Sequence, residues 1–488
     1  MPPHDPHHDR RWLILAVIGI AQLLVVLDIT IVNVALPSAQ RELGFSDGDR
    51  QWVITAYALT FGSLLLLGGR IADLFGRKWT FVAGLVGFAG ASAAGGAAQS
   101  FGMLVGARAV QGVFAALLAP SALSLLATTF TDPAERGKAF GVFGAIAGAG
   151  GAFGLLLGGM LTELLDWRWC LYVSIVFAAP AAIAALRLLH NVRAVARPRL
   201  DVPGVVTVSS GLFAVVFGLS RARTDGWGDA VTVAFLAGGA LLLVAFVALQ
   251  RRVDNPLLPL PVVTDRNRGG SFLAVATAGA GVFGVFLFLT FYLQNTRGLS
   301  PLETGLAFLP MNLTVIAAAT IVSTRVLGRT GPRPLVVAGM ASAALGMALL
   351  TRVGVDTSYV THVLPSLILV GLGFGMIIAS SLATATLGVP PEHSGVASAM
   401  VSTSQQVGGS IGIALLSTMA SSAASDYLAV HGAAPASLGQ AAIEGYVHAF
   451  WWAAAIFALG ALICAALLRS DARPEAMHVG PEPAPAPA

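Results

Sequence analysis

An aspartate and an arginine stand inside stretches of the chain that are otherwise apolar. Asp28 lies in the run that begins near Trp12, and Arg108 lies in the run that begins near Met103. Counted along helices, the two positions lie at similar depths, about 12 Å and about 8 Å from the outer ends of their runs. A carboxylate whose distance from an arginine can change works as a proton switch, because close pairing favours the charged acid and separation favours the neutral one. The alternative is a static pair that fixes helix packing.

Other polar side chains also occur within the apolar runs. Each hydroxyl or amide in hydrocarbon must face a partner or water. Two explanations stay open: these groups line a path for a substrate, or they hydrogen-bond one helix to another. The candidates for the substrate path are Thr30, Asn33, Gln111, Asn312, Gln405 and Gln406.

The composition identifies the kind of protein that must hold these side chains. The chain has 488 residues, of which 56% are hydrophobic and 11% are charged, whereas a soluble domain carries about 25% charged residues. Apolar runs of about 20 residues, each long enough to cross a bilayer as a helix, recur from Trp12 to Leu468. The sequence therefore predicts an all-α membrane protein with about fourteen transmembrane helices. Cys170 and Cys464 suggest no disulfide framework, and no set of metal ligands or catalytic residues is apparent.

The distribution of positive charge predicts the orientation in the membrane. Most of the loop arginines and lysines fall on the side that also holds the amino terminus. Positive loops stay in the cytoplasm, so we expect a multi-pass protein of the cytoplasmic membrane with both termini inside. The tails, residues 1–11 and 471–488, have few apolar side chains to bury and are expected to be disordered.

A short charged segment lies between the second and third apolar runs. It reads Gly69-Arg70-Ile71-Ala72-Asp73-Leu74-Phe75-Gly76-Arg77-Lys78. The acid can cap the helix that follows or pair with a neighbouring arginine, and the cations hold the segment among the headgroups. This spacing resembles the signature loop between spans two and three of the major facilitator superfamily. The resemblance implies a conformational switch loop that comprises Gly69, Arg70, Asp73, Gly76, Arg77 and Lys78.

Two further motifs resemble one branch of that superfamily, the fourteen-span drug:proton antiporters. The string from Leu27 to Pro37 resembles the first-span motif of this branch, and the segment from Arg108 to Gly112 resembles the superfamily motif R-x-x-Q-G. The resemblance implies that the arginine takes part in proton transfer, together with Asp28.

The fifth span is rich in glycine. Its sequence resembles the antiporter motif G-x-x-x-G-P-x-x-G-G, but Leu155 stands where the family has proline. Glycines allow another helix to approach closely, and without the proline we expect a straighter helix. The glycines of the motif are Gly150, Gly151, Gly154, Gly158 and Gly159.

The two ends of the chain repeat each other. Pro133, Gly137, Gly150, Gly151 and Gly154 match Pro391, Gly395, Gly408, Gly409 and Gly412 at one constant offset. We therefore expect a major facilitator fold with two six-helix halves, residues 12–190 and 269–470, and an inserted helix pair with flanking loops at residues 191–268.

The resemblance implies proton-coupled export, by alternating access, of amphipathic drugs or antibiotic-like small molecules, which could carry a positive charge to match Asp28. An importer or symporter of the same fold is the main alternative, and a membrane receptor or enzyme has less support. We expect a monomer that is driven by the proton gradient, with no cofactor, no catalytic residues, no metal and no nucleic-acid partner.

Overall fold

The computed structural model is helical wherever its described residues have regular structure. Thirteen of its helical segments are long and apolar enough to cross a membrane. A further helix of 32 residues, Pro133–Leu164, packs among them. The prediction of an all-α membrane protein with about fourteen spans is therefore confirmed. The structure describes residues 10–45, 47–130, 132–189, 200–355, 357–390, 393–432 and 434–469, so the predicted disordered tails lie almost wholly outside the described residues.

Six long helices form the first part of the bundle. The first begins directly after Arg10, continues through Pro37 and ends at Leu43, before Gly44, whose φ of 69° is left-handed. The second and third helices meet at Gly76, where a φ of 98° allows the sharp turn that a side chain would strain. The helices are α1 (Arg11–Leu43), α2 (Asp47–Phe75), α3 (Arg77–Gly96), α4 (Phe101–Thr129), α5 (Pro133–Leu164) and α6 (Trp169–Leu188).

Two helices and a short turn follow. The Asp201 side chain caps the first of these helices by accepting a hydrogen bond from the amide of Gly204, and Asp229 caps the second. The three elements are α7 (Val202–Thr224), α8 (Ala230–Gln250) and α9 (Leu260–Thr264).

The last part of the bundle contains six further crossings, one of which is built from several pieces. Ser300 and Glu303 form a capping box at the start of that crossing. Five-residue π-helical segments extend three of the crossings at Tyr292–Thr296, Val322–Val326 and Tyr359–Val363. The α-helices are α10 (Arg266–Phe291), α11 (Pro301–Ala307), α12 (Leu309–Ile321), α13 (Leu327–Thr330), α14 (Pro332–Leu350), α15 (Leu364–Ala385), α16 (Ser394–His431) and α17 (Pro435–Leu467).

The packing of the two parts follows the repeat in the sequence. α5 packs against α1, and its counterpart α16 packs against α10. Gly154 faces Thr30 of α1, while the matching Gly412 faces Ala280 of α10. We call α1 to α6 the first half and α10 to α17 the second half. The residue boundaries of the halves as independent units stay a prediction.

The inserted pair lies against both halves. α7 packs along α2 and along α16. Near one end, Leu66 of α2, Val208 of α7 and Val396 of α16 share one buried apolar cluster. Near the other end, the Trp227 indole donates a hydrogen bond of 2.7 Å to Thr418 of α16. α7 therefore covers the seam between α2 and α16.

Candidate functional site

Asp28 and Arg108 form a buried ion pair in the first half. A guanidinium nitrogen of Arg108 donates to Asp28 Oδ2 at 2.6 Å, and the two side chains are 0% and 2% exposed. The sequence predicts that the two residues lie at similar depth in their spans, and in the structure their side chains are in direct contact between α1 and α4. A buried pair with this contact is stable only while both charges are present, because loss of either charge leaves the other uncompensated.

Gln111 completes the polar network around the pair. Its carbonyl oxygen accepts from Arg108 at 2.6 Å, while its amide nitrogen donates to Asp28 Oδ1 at 2.7 Å and to Ser92 Oγ at 2.6 Å. The spacing of Arg108 and Gln111 places both side chains on one face of α4. Both oxygens of the carboxylate therefore have donors, and Gln111, which is 1% exposed, lies within the network rather than on an open surface.

One turn of α2 supports the guanidinium from another side. Arg108 Nε donates to the backbone carbonyl of Val53 at 3.3 Å. The guanidinium carbon also lies 4.4 Å from the centroid of the Tyr57 ring, a distance at which a cation is attracted to the ring face. Val53 and Tyr57 are one helical turn apart, so a single face of α2 provides both contacts.

The glycine of the R-x-x-Q-G segment explains how α2 comes so close to α4. A side chain at Gly112 would collide with Thr60 Oγ1 and with the backbone carbonyl of Tyr57. The Thr60 hydroxyl also donates to the carbonyl of Ala109 at 2.8 Å, which ties the two helices together at the same level. The absence of a side chain at Gly112 thus brings Tyr57 within reach of Arg108.

The remaining substrate-path candidates do not join this network. Thr30 and Asn33 bond back to carbonyls of α1, Leu27 and Ile29 respectively. Asn312 in α12 is 3% exposed, and its amide oxygen has no hydrogen-bond partner among the described residues. Gln405 and Gln406 are half-buried on α16. Their role in a substrate path stays a prediction.

The glycines of α5 divide between two faces. Gly150, Gly154 and Gly158, spaced four residues apart, face Val26, Thr30 and Ile31 of α1. Gly151 faces Phe286 of α10 in the second half, and Gly159 has open space where a side chain would stand. α5 is one continuous helix through this region. Close packing against α1 explains three of the five glycines.

The charged segment between α2 and α3 joins the two halves. Asp73 accepts hydrogen bonds from the backbone amides of Gly395 and Val396, at 3.0 and 3.2 Å, in the first turn of α16. Arg77 lies 3.9 Å from the same carboxylate. Of the two roles that the sequence allowed for this acid, the pairing with a neighbouring arginine is present and the capping of the next helix is not. α3 has no side-chain cap, and Asp73 caps a helix of the other half instead.

The rest of this segment is arranged around that contact. A side chain at Gly69 would collide with the carbonyl of Gly395. Arg70 is 3% exposed, so it does not reach the membrane surface as a free cation. Lys78 donates to the carbonyl of Leu186 at 2.7 Å and lies over the Trp79 ring. We call the end of the bundle where Gly76 turns α2 into α3 the Gly76 face, and the opposite end the Trp167 face.

Further polar contacts join the halves at the Gly76 face. The hydroxyls of Ser124 in α4 and Ser394 in α16 lie 2.8 Å apart. Arg136 of α5 donates to Thr386, just beyond α15, at 2.9 Å. A side chain at Gly137 would collide with the Ser323 carbonyl. The two halves are therefore in close contact at this face.

At the Trp167 face, one acid ties together several helices of the first half. Glu42 accepts hydrogen bonds from the Trp167 indole at 2.6 Å and from Arg168 at 2.7 Å. Arg168 also donates to the carbonyls of Gly96 and Ala98, next to the end of α3. The Trp167-Arg168-Trp169 segment is thus a structural clamp between α1, α3 and α6.

Sequence reasoning did not identify Tyr57, Ser92, Ser124 or Ser394. Tyrosine and serine are common in membrane helices, and their role depends on which neighbour they face. A signal was present for Ser92, a hydroxyl inside an apolar span, which had to find a partner. For Tyr57 the sequence offers no such signal.

Comparison with known proteins agrees with this architecture. The family model described as "Major Facilitator Superfamily" matches residues 18–413. The chain is 52% identical to the puromycin resistance protein pur8 of Streptomyces alboniger over 96% of this chain and 93% of that protein. It is 36% identical to the cephamycin export protein CmcT of Amycolatopsis lactamdurans, over 94% of each chain. The solved structure of the proton:xylose symporter XylE aligns with a TM-score of 0.65 at 15% identity, covering 96% of this chain and 99% of that one, which establishes the fold alone.

Proposed function

Because the chain belongs to the Major Facilitator Superfamily and is therefore a membrane transporter, we propose that it exports amphipathic, antibiotic-like small molecules in exchange for protons. The observation that carries the proposal is the buried Asp28–Arg108 pair, a titratable group within a membrane bundle whose curated relatives include antibiotic resistance and export proteins. Puromycin is the first compound to test, because the relative named for puromycin resistance is 52% identical to this chain over 473 aligned residues.

The Gly76 face is the cytoplasmic face in this proposal. The arginine-rich loops support this orientation, in which both termini lie on the cytoplasmic side of the membrane. Since the halves meet at the Gly76 face through Asp73, Ser124 and Arg136, the conformation described here is closed toward the cytoplasm. Alternating access requires these contacts to break when the halves rock to the inward-open state.

Proton binding to Asp28 couples the gradient to that motion. An outer proton neutralises the carboxylate and removes the charge that pairs with Arg108. The loss of pairing weakens the contact between α1 and α4 and favours the inward-open state, in which the substrate enters from the cytoplasm. Release of the proton to the cytoplasm restores the ion pair. The substrate-loaded protein then returns to the outward-open state. Each charge moved across 100 mV provides about 2.3 kcal/mol, which drives accumulation against a gradient.

The test is transport in proteoliposomes with an imposed pH gradient and radiolabelled puromycin. We expect uphill movement of puromycin in the direction opposite to the protons. We also expect the movement of protons across the proteoliposome membrane to depend on puromycin. Asp28→Asn is the coupling-deficient control. Movement of substrate and protons in the same direction would establish a symporter instead, and puromycin-independent proton flux of equal size would contradict exchange.

A further inference from the structure

The side chain of Tyr57 contributes a ring face to the ion-pair network, not a hydroxyl. Its ring lies 4.4 Å from the guanidinium carbon of Arg108 and is 2% exposed. Its hydroxyl is buried and has no hydrogen-bond partner among the described residues. A buried hydroxyl without a partner is unfavourable for stability, so the tyrosine is not explained by its polar group.

The contacts of Arg108 differ in how they stabilise its positive charge. Asp28 provides the only full negative charge described next to the guanidinium. The Val53 carbonyl and the Gln111 amide oxygen are neutral acceptors. The aromatic ring attracts a cation through its quadrupole, and this attraction is strongest where water is excluded.

The contribution of these contacts to holding Arg108 depends on whether Asp28 is ionised or protonated. While Asp28 is ionised, the carboxylate at 2.6 Å holds the guanidinium with or without the ring. When Asp28 takes up a proton, Arg108 keeps its charge but loses its counter-ion within the bundle. The neutral acceptors and the ring must then hold the cation. In the ionised form the carboxylate charge beside the guanidinium offsets part of the attraction between the guanidinium and the ring, and this offset is lost when Asp28 is protonated. The ring therefore stabilises the protonated form more than the ionised form.

We propose that Tyr57 is a positioning residue whose ring face holds the Arg108 guanidinium beside Asp28 while that carboxyl group carries a proton. The guanidinium then stays in place, and the ion pair forms again as soon as the proton leaves. The inference rests on the proposed function, since it concerns the protonated form of Asp28.

The simpler explanation is that Tyr57 only fills space in the core. Its ring stacks on that of Phe61, one turn along α2, with centroids 5.5 Å apart. Phe61 belongs to the same apolar cluster and is 5% exposed. Phe61 therefore serves as a matched control, because its removal costs a similar aromatic volume without a described contact to Arg108.

Few other titratable groups face Asp28. α4 brings Arg108 and α2 brings Tyr57, while Ser92 of α3 does not titrate in this range. α5 faces α1 with glycines, and its charged side chains, Glu135 among them, lie near its ends. α6 also packs on α1, and its charged residue Arg187 lies in its last turn. The pH response can therefore be assigned to Asp28.

The experiment is an infrared titration of the purified protein in lipid nanodiscs, without substrate. The carbonyl stretch of the protonated carboxyl group is assigned to Asp28 by its loss in Asp28→Asn. We expect Tyr57→Leu to bind the proton about tenfold more weakly, so that the titration midpoint falls by about one pH unit. Tyr57→Phe keeps the ring face, and Phe61→Leu leaves the ring of Tyr57 in place, so both are expected to keep the wild-type midpoint.

A second series covers the case in which Tyr57→Leu does not fold. Phenylalanines with one, two and three ring fluorines, incorporated at position 57, weaken the quadrupole while the ring keeps nearly the same size. A midpoint that falls stepwise with fluorination supports the proposal, and a constant midpoint overturns it. A loss of thermal stability without a midpoint change would mean that Tyr57 only packs.

The proposal and the function on which it rests fail separately. If the infrared band survives in Asp28→Asn, or if Asp28→Asn transports puromycin uphill as well as the wild type, Asp28 is not the coupling site and the coupling step of the proposed function fails. If Asp28→Asn behaves as expected but ring removal leaves the midpoint unchanged, only the role of Tyr57 fails.

Discussion

The carboxylate of Asp73, near the end of α2, accepts a 3.0 Å hydrogen bond from the backbone amide of Gly395, which stands 322 positions later in the chain. The second carboxylate oxygen accepts from the next amide, that of Val396. These amides form the positive end of α16, so a negative charge of the first half stabilises a helix end of the second half. The contact favours the conformation that is closed at the Gly76 face.

Neutralising Asp73 should therefore alter the conformational cycle without altering substrate binding. A charge at a helix start contributes about 1 kcal/mol, or about fivefold in an equilibrium. We expect Asp73→Asn to lower the rate of puromycin exchange several-fold, with puromycin affinity unchanged. Asp254→Asn, at an exposed acid between α8 and α9, is the control and should behave as the wild type. An affinity that falls in step with turnover would place Asp73 in the binding path instead.

The hydroxyls of Ser124 and Ser394 allow the halves to be locked together. They lie 2.8 Å apart, so the sulfurs of cysteines at these positions would lie near each other, and we expect oxidation to join them in a disulfide. In a background with Cys170 and Cys464 replaced by alanine, oxidation of the double cysteine variant should stop transport, and reduction should restore it. The two single cysteine variants should be insensitive to oxidant. Undiminished transport by the cross-linked protein would show that the halves do not separate at this face.

The Asp28–Arg108 pair should respond differently to the removal of each partner. Asp28→Asn keeps the size and one acceptor of the side chain, so we expect a folded protein that binds puromycin but lacks uphill transport. Arg108→Ala leaves a buried carboxylate without its cation, and such a loss costs about 3–5 kcal/mol unless the acid takes up a proton. It should abolish coupling and lower thermal stability, whereas Arg108→Lys, which keeps the charge but not the planar fork, should retain part of the coupled transport. Equal uphill transport by all three variants would exclude the pair from coupling.

The glycines of α5 can be tested by comparing two faces of one helix. A side chain at Gly154 would collide with Thr30, so Gly154→Val must push α1 away from α5. Overpacking of this kind destabilises by about 1–3 kcal/mol, and we expect proton leak in substrate-free proteoliposomes. Gly159→Ala is the control, because the space around that position is open. If the Gly154→Val variant shows no increase in proton leak, these glycines do not prevent proton leak through the first half.

The predictions from sequence succeeded where a residue type conflicts with its surroundings. Asp28 and Arg108 are charges in apolar runs, so their burial and pairing follow from the cost of leaving either alone. The apolar runs also predicted the number of helices, because the length of a span is set by the bilayer. Helix ends were less predictable: α1 continues through Pro37 to Leu43, and α16 has 38 residues, well beyond the hydrocarbon thickness.

The predictions failed where the partner is distant in the chain. Local rules allow Asp73 to cap the next helix or to pair with a neighbouring arginine, but its backbone donors belong to α16, and no local rule reports a contact between the halves. The ring face of Tyr57 reaches Arg108 only because Gly112 lets α2 approach α4. Likewise, the five glycines of α5 form one motif in sequence, yet Gly151 and Gly159 lie off the face that contacts α1.

The position of α7 makes the two sides of the transporter unequal toward the lipid. α7 lies against α2 and α16 along their seam, whereas the seam between α5 and α12 has no inserted helix over it in the described part of the chain. Acyl chains can therefore press against the junction of the halves on one side only. For a hydrophobic molecule dissolved in the bilayer, α7 covers the junction of the halves on one side, whereas the junction between α5 and α12 on the other side is not covered by a described inserted helix. This asymmetry gives such a molecule a preferred direction of approach.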